Sequence, residues 1–195
     1  MGLCAAAYLE YLCANKVNNG AGHVTYTQML NDRGGIESDV TVTQIDAGSF
    51  RMISGTALNS HDMAWLTDHL PDDGSVILQD VTASLTCFGI WGPLTREMLQ
   101  TLTDADLSTK AMPFLSMRKI NIGKFPVQLV RVTFVGELGY EIYANVKDGM
   151  AIWEMLWTAG QPFGMVACGY KAIDALRPEK GYLYWGSDIS PDVTP

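Results

Sequence analysis

Apolar and polar positions along the chain divide it into short strands and helices. Residues 3–14 are rich in Ala and Leu and apolar almost all round, the pattern of a buried helix. Val24 to Leu30 reads as a strand, Asn31-Asp32-Arg33-Gly34-Gly35 supplies hairpin-turn residues, and Ile36 to Ile45 is the return strand. In that return strand Val40 and Val42 share one face, while Asp39, Thr41 and Thr43 share the other. Phe50 to Gly55 predicts a third strand. Asn59-Ser60 offers an N-cap to a helix over 61–70, where Met63, Leu66 and Leu70 fall at helical spacing. Pro71-Asp72-Asp73-Gly74 ends it, and Ser75 to Val81 predicts a fourth strand.

Helix, hairpin, strand, helix, strand is the order of a ferredoxin-like α+β unit lacking its first strand, here over residues 1–85. Residues 86–195 read as a second, incomplete α+β lobe. The apolar segment Cys87 to Trp91 leads to Gly92-Pro93, which opens a helix with Leu94, Met98 and Leu102 as its expected buried stripe. Ile120 to Gly123 and Val127 to Val135 read as strands, and the turn Gly136-Glu137-Leu138-Gly139 leads into a strand from Tyr140 to Ala144. A helix over 149–159 carries Met150, Trp153, Leu156 and Trp157, with Gly160 just past its end; Trp153 and Trp157 read as a buried helix face. The last helix, about 169–177, stops at Pro178, and Gly181 to Pro195 has loop chemistry.

Composition narrows the function classes. Nearly half of the 195 residues (48%) are apolar and 17% are charged, enough for a real core and too few charges for a disordered chain. The net charge of −8 comes without a basic run, which argues against nucleic acid as a partner. No apolar run approaches a membrane span, and the first residues lack the basic start of a signal peptide. Cys4, Cys13, Cys87 and Cys168 are scattered without metal-ligand spacing and read as buried small hydrophobes. His23, His61 and His69 form no H-x-x-x-H pair, so no metal site is expected.

Two places carry candidate chemistry. Asp39 lies in a strand interior, where Asp is depleted, beside two threonines and a Gly-Gly turn. Glu137 and Glu141 bracket a glycine turn. By their residues alone, Asp39 fits a solvent-facing acid on the polar side of a half-exposed sheet as well as a site. The Glu pair equally fits turn solvation.

Three longer segments separate these readings: YTQMLNDRGGIESDVTV (26–42), FVGELGYEIY (134–143) and GYKAIDALRPEKGY (169–182). In wording and order they resemble the tetrahydrofolate-binding aminomethyltransferase family, founded on the T-protein of the glycine cleavage system. Within it they are similar to the folate-binding half of sarcosine and dimethylglycine dehydrogenases. The resemblance implies a three-lobed fold around a folate channel, of which this chain would hold the ferredoxin-like lobe and part of a second antiparallel-sheet lobe, the third being absent. It implies tetrahydrofolate as cofactor, with FAD only on an absent domain or partner subunit, and an iminium derived from an N-methyl amine as the one-carbon source. The acceptor would leave as 5,10-methylenetetrahydrofolate. Asp39 falls at the catalytic position. Glu141 falls at the acid that accepts the two parallel donors of the pterin, its 2-amino group and N3–H, as a carboxylate accepts an arginine fork. Thr41, Phe134 and Tyr26 complete the folate-binding set that the resemblance implies.

Two departures qualify it. Phe134 stands where the family usually has Tyr, keeping the ring and losing the hydroxyl. Ile173 stands where a T-protein has Arg, which favours the dehydrogenase branch; Lys171 and Arg177 remain as partners for the glutamyl carboxylates of folate. No G-x-G-x-x-G fingerprint occurs, so amine oxidation is expected elsewhere, on a flavin domain or subunit. The expected module is an aminomethyltransferase-type part of a larger or split enzyme. It would work in the bacterial cytoplasm, or in the mitochondrial matrix if eukaryotic. Surfaces left by missing lobes predict self-association. A non-catalytic regulatory module and a glycine-cleavage aminomethyltransferase are the alternatives.

Overall fold

The computed structural model describes every residue except Leu3, so the start of the helix expected over 3–14 lies outside the described residues. The chain forms two compact units: Met1–Gln79 together with Leu183–Pro195, and Asp80–Tyr182. Each is α+β around an antiparallel sheet.

In the first unit the strands β1 (Val24–Leu30), β2 (Ile36–Asp46) and β3 (Ser49–Ile53) form a meander in the order β1-β2-β3. Helices α1 (Ala5–Leu12) and α2 (Asn59–Asp68) cover one face. The alternation along β2 sorts it as the sequence predicts. Val40 and Val42 join Met29, Leu9, Leu12 and Leu66 in the core, and Asp39 and Thr41 lie on the opposite face.

The β1–β2 turn is tightly specified. Asn31 Oδ1 accepts from the backbone N–H groups of Arg33 (3.0 Å) and Gly35 (2.9 Å). Its Nδ2 donates to Glu37 Oε1 at 2.7 Å. A Cβ at Gly35 would sit 1.9 Å from the Pro191 carbonyl oxygen, so only glycine fits there. The C-terminal stretch that makes this contact was grouped with the second lobe by sequence. It belongs instead to the first unit, where Ile36 N–H donates to Val193 O at 3.0 Å and Trp185 Nε1–H donates to Ile36 O at 2.8 Å. A loop-like sequence with no apolar stripe gives no sign of such long-range anchoring.

The fourth strand expected over Ser75–Val81 does not form. Val76 is buried and Ile77 exposed, so side chains alternate as in a strand. Among the described residues, however, its backbone pairs only where Ile77 exchanges two hydrogen bonds with Met1 (2.6 and 2.7 Å). A single pair does not make a ladder.

The second unit carries β4 (Leu85–Trp91), β5 (Ser116–Ile122), β6 (Phe125–Arg131) and β7 (Gly139–Asn145) in the order β4-β7-β6-β5. Helices α3 (Thr95–Gln100) and α4 (Gly149–Gly160) pack on one face around Leu129, Tyr140, Ile142, Ile152 and Leu156. The helix α5 (Tyr170–Leu176) buries no side chain.

Two helical stripes are shifted from expectation. α3 begins at Thr95, so Leu94 becomes an exposed cap, and Thr95, Met98 and Leu99 face the core. In α4 the buried residues are Gly149, Ile152, Leu156 and Gly160, while Met150 and Trp153 are exposed and the Trp153 and Trp157 rings stack 5.9 Å apart. A helix that is apolar nearly all round does not declare its inner side. Three cysteines expected to be buried (Cys4, Cys87 and Cys168) are exposed, and Cys13 alone is in a core. Among the described residues no helix is long and apolar enough to cross a membrane.

Candidate functional site

Asp39 stands on the open face of the first sheet. In the β1–β2 register Gln28 faces Asp39 and Tyr26 faces Thr41. Tyr26 therefore reaches one step diagonally, and its hydroxyl donates to Asp39 Oδ2 at 2.9 Å. Both acids of the pair are held protonated more firmly than usual. Burial raises the Asp39 carboxyl above its ordinary value, and the Tyr26 hydrogen bond offsets only part of the rise. Burial, then the charge of Asp39, raises the Tyr26 phenol. No Lys, Arg or His pairs with Asp39 among the described residues. A half-buried carboxyl with this environment can take a proton or stabilise a passing cation.

A second acid nearby gave no signal in the sequence. Asp62, on α2, is 3% exposed, and its negative charge adds to the rise at Asp39. Its Oδ1 lies 3.2 Å from His61 Nδ1, and His61 Nε2 lies 3.4 Å from Glu37 Oε2. The helical period of α2 draws attention to Met63 and Leu66, and an Asp beside them reads as surface.

Glu141 stands on the open face of the second sheet. It is the register partner of Gly89 on β4 and of Val130 on β6. Burial raises its carboxyl above the ordinary value, and the hydroxyl of Tyr143, two residues along the same strand face, donates to Oε2. Tyr143 is itself buried, and its phenol is raised first by that burial and then by the Glu141 charge. Oε1 carries no protein hydrogen bond among the described residues. The result is a carboxylate fixed in orientation by one partner, with acceptor capacity to spare.

Of the other expected residues, Tyr26 and Thr41 accompany Asp39, and Phe134 lies in a loop. Thr41 is half-buried beside Tyr26 on the Asp39 face. Phe134 lies in the loop after β6, where its ring stacks on Tyr182 with centroids 6.3 Å apart and planes 4° apart. Arg177 is turned inward: Nη1 donates to Tyr182 O at 2.9 Å, and Nε lies 3.7 Å from Asp174. Tyr143 was missed because, in an alternating strand, a tyrosine reads as packing. Trp91, on the same open face as Glu141, was missed because its setting depends on glycines of two strands.

Each of the two antiparallel sheets thus carries, on the face away from its helices, a carboxyl hydrogen-bonded to a tyrosine. Comparison with known proteins gives the class. The family model of the GCVT N-terminal domain matches residues 1–195, and the chain belongs to this family. Mitochondrial dimethylglycine dehydrogenase of Rattus norvegicus is 35% identical over 188 residues, covering 96% of this chain and 22% of that protein. Mitochondrial sarcosine dehydrogenase of Mus musculus is 34% identical over 209 residues, covering 100% of this chain and 23% of that protein. The chain thus spans less than a quarter of the length of these relatives. Among solved structures, the glycine cleavage system aminomethyltransferase T of Bartonella henselae superposes with a TM-score of 0.80 at 25% identity, covering 100% of this chain and 51% of that one. The protein is an aminomethyltransferase-family domain related to sarcosine and dimethylglycine dehydrogenases.

Proposed function

We propose that this domain binds tetrahydrofolate and hands it a one-carbon unit produced by a demethylating flavoprotein. The observation that carries this reading is the state of Glu141: a half-buried carboxylate with no cationic partner among the described residues, oriented by Tyr143, and with Oε1 free. A pterin edge supplies two parallel donors that match such an acceptor. Tetrahydrofolate, when bound, supplies the amines that accept carbon at the formaldehyde level.

The chain's own residues divide the remaining work. Glu141 anchors the pterin edge, and Phe134 offers an aromatic surface. Asp39 stabilises the cationic iminium, takes up the proton released as the acceptor amine attacks, and returns it to the donor nitrogen, which leaves as the demethylated amine when its bond to the transferred carbon breaks. Its raised pKa suits the second task, because a carboxylate of ordinary pKa is too weak a base near neutral pH. Tyr26 holds Asp39 in place, and Thr41 offers a hydroxyl beside it. Oxidation of the N-methyl amine belongs to a flavin domain or subunit that supplies the iminium.

Anaerobic calorimetric titration with tetrahydrofolate, beside Glu141→Gln, tests the reading. Gln replaces one accepting oxygen with a donor, and the mismatch costs about 1.5–3 kcal/mol, roughly 10- to 150-fold in affinity. Saturable binding that the substitution weakens by that factor is the expected result. Absence of binding by the parent chain overturns the proposal.

A further inference from the structure

On the open face of the second sheet the Trp91 indole lies flat against the backbone. A Cβ atom placed on Gly89 would come within 2.3 Å of Trp91 Cη2 and 2.6 Å of Cζ2, and one on Gly139 within 2.1 Å of Cδ1. The six-membered ring thus rests on Gly89, and the pyrrole ring on Gly139. Nε1 is buried and has no hydrogen-bond partner among the described residues, so packing, including contact with the two bare glycines, orients the ring.

The same register fixes what stands beside it. Gly89 is the partner of Glu141 across β4 and β7, and Gly139 precedes Glu141 by two residues on the same face. A half-buried aromatic plane lying along the sheet therefore adjoins a carboxylate rising from it. A planar heterocycle resting on the indole presents its edge, rather than its face, to that carboxylate. A plain aromatic hydrocarbon has the face but no donors for the carboxylate.

We propose that Trp91 is the stacking platform for the bicyclic pterin ring and makes this site selective for flat heterocycles with a donor edge. The inference rests on the folate reading, and it adds a specificity residue that acts through ring contact. Gly89 and Gly139 are part of the device, because any side chain at either position lifts the indole.

The test is calorimetric titration of the whole chain with 6-methyltetrahydropterin, which lacks the benzoylglutamate tail, and with tetrahydrofolate. Trp91→Leu should weaken both ligands about 10- to 100-fold, the range seen when a base loses its aromatic platform. Trp91→Phe keeps a ring and should stay within about threefold of the parent. Gly89→Ala, which keeps the indole but displaces it, should weaken binding as Trp91→Leu does. If Glu141→Gln loses affinity while Trp91→Leu binds as the parent does, the platform is wrong and the folate reading stands. If the parent binds neither ligand, the folate reading fails and this inference with it. Should Trp91→Leu not fold, proton resonances of the pterin decide. Stacking moves the C6 and C7 protons upfield in the saturated parent complex, and unshifted resonances there overturn the platform.

Discussion

The two sheets repeat one motif with different openness. In each, the inner face packs on helices and the outer face carries an acid hydrogen-bonded to a tyrosine. At Asp39 the tyrosine comes from the neighbouring strand, and Tyr26 remains 43% exposed. At Glu141 it comes from the same strand, and Tyr143 is 7% exposed. A second acid, Asp62, acts on Asp39, whereas a flat indole adjoins Glu141. Glu141 is thus oriented by a buried tyrosine of its own strand, which suits the proposed recognition of one fixed edge. Asp39 is held by an exposed tyrosine and lies near a second acid, which suits the proposed task of stabilising a transient cation and taking its proton.

The largest effect that separates the sites is expected at Asp39. In a complete enzyme that supplies the iminium, Asp39→Ala should slow carbon transfer by about 10²- to 10⁴-fold. Single-turnover formation of 5,10-methylenetetrahydrofolate measures this, and transfer at the parental rate removes Asp39 from the chemistry.

Loss of one hydroxyl from each pair gives a smaller contrast. Tyr143→Phe removes the donor that orients the half-buried Glu141 carboxylate and should weaken tetrahydrofolate by about tenfold. Tyr26→Phe leaves Asp39 with solvent nearby and should change folate affinity by less than about threefold. Equal losses of affinity would erase the distinction between the two sites.

The smallest effect is on stability, and its sign follows from the raised pKa values. Both carboxyls hold their proton more tightly in the folded chain than in the unfolded one. Their contribution is fully present below the ordinary values of 3.8 and 4.5, and is lost as pH rises through the raised values. At neutral pH the charged forms therefore oppose folding. Asp39→Asn and Glu141→Gln should melt above the parent at pH 7, and this advantage should disappear below pH 3.8. A parent that melts above both variants at neutral pH would contradict the burial assigned to these groups.

The sequence made local features legible and left long-range ones hidden. Asp39 stands out as an acid amid Val40, Thr41 and Val42 in a strand interior, and the resemblance of its motif singles it out as a candidate. Glu141 becomes a candidate because its motif is long and ordered. β1, its turn and β2 follow directly from alternation and the Asn-to-Gly turn. The rest depends on partners far along the chain. Trp91 lies flat only because Gly89 and Gly139 meet in the register of β4 and β7. Residues 183–195 look like loop, yet Trp185 and Val193 hydrogen-bond Ile36. Asp62 is buried by a helix whose period advertises its apolar neighbours.

The division of labour between the two sheets is tested most directly by titrating tetrahydrofolate into Asp39→Ala and Glu141→Gln side by side. The account predicts affinity within about threefold of the parent for Asp39→Ala and a loss of about 10- to 150-fold for Glu141→Gln. Loss of folate binding in Asp39→Ala with retention in Glu141→Gln would contradict it.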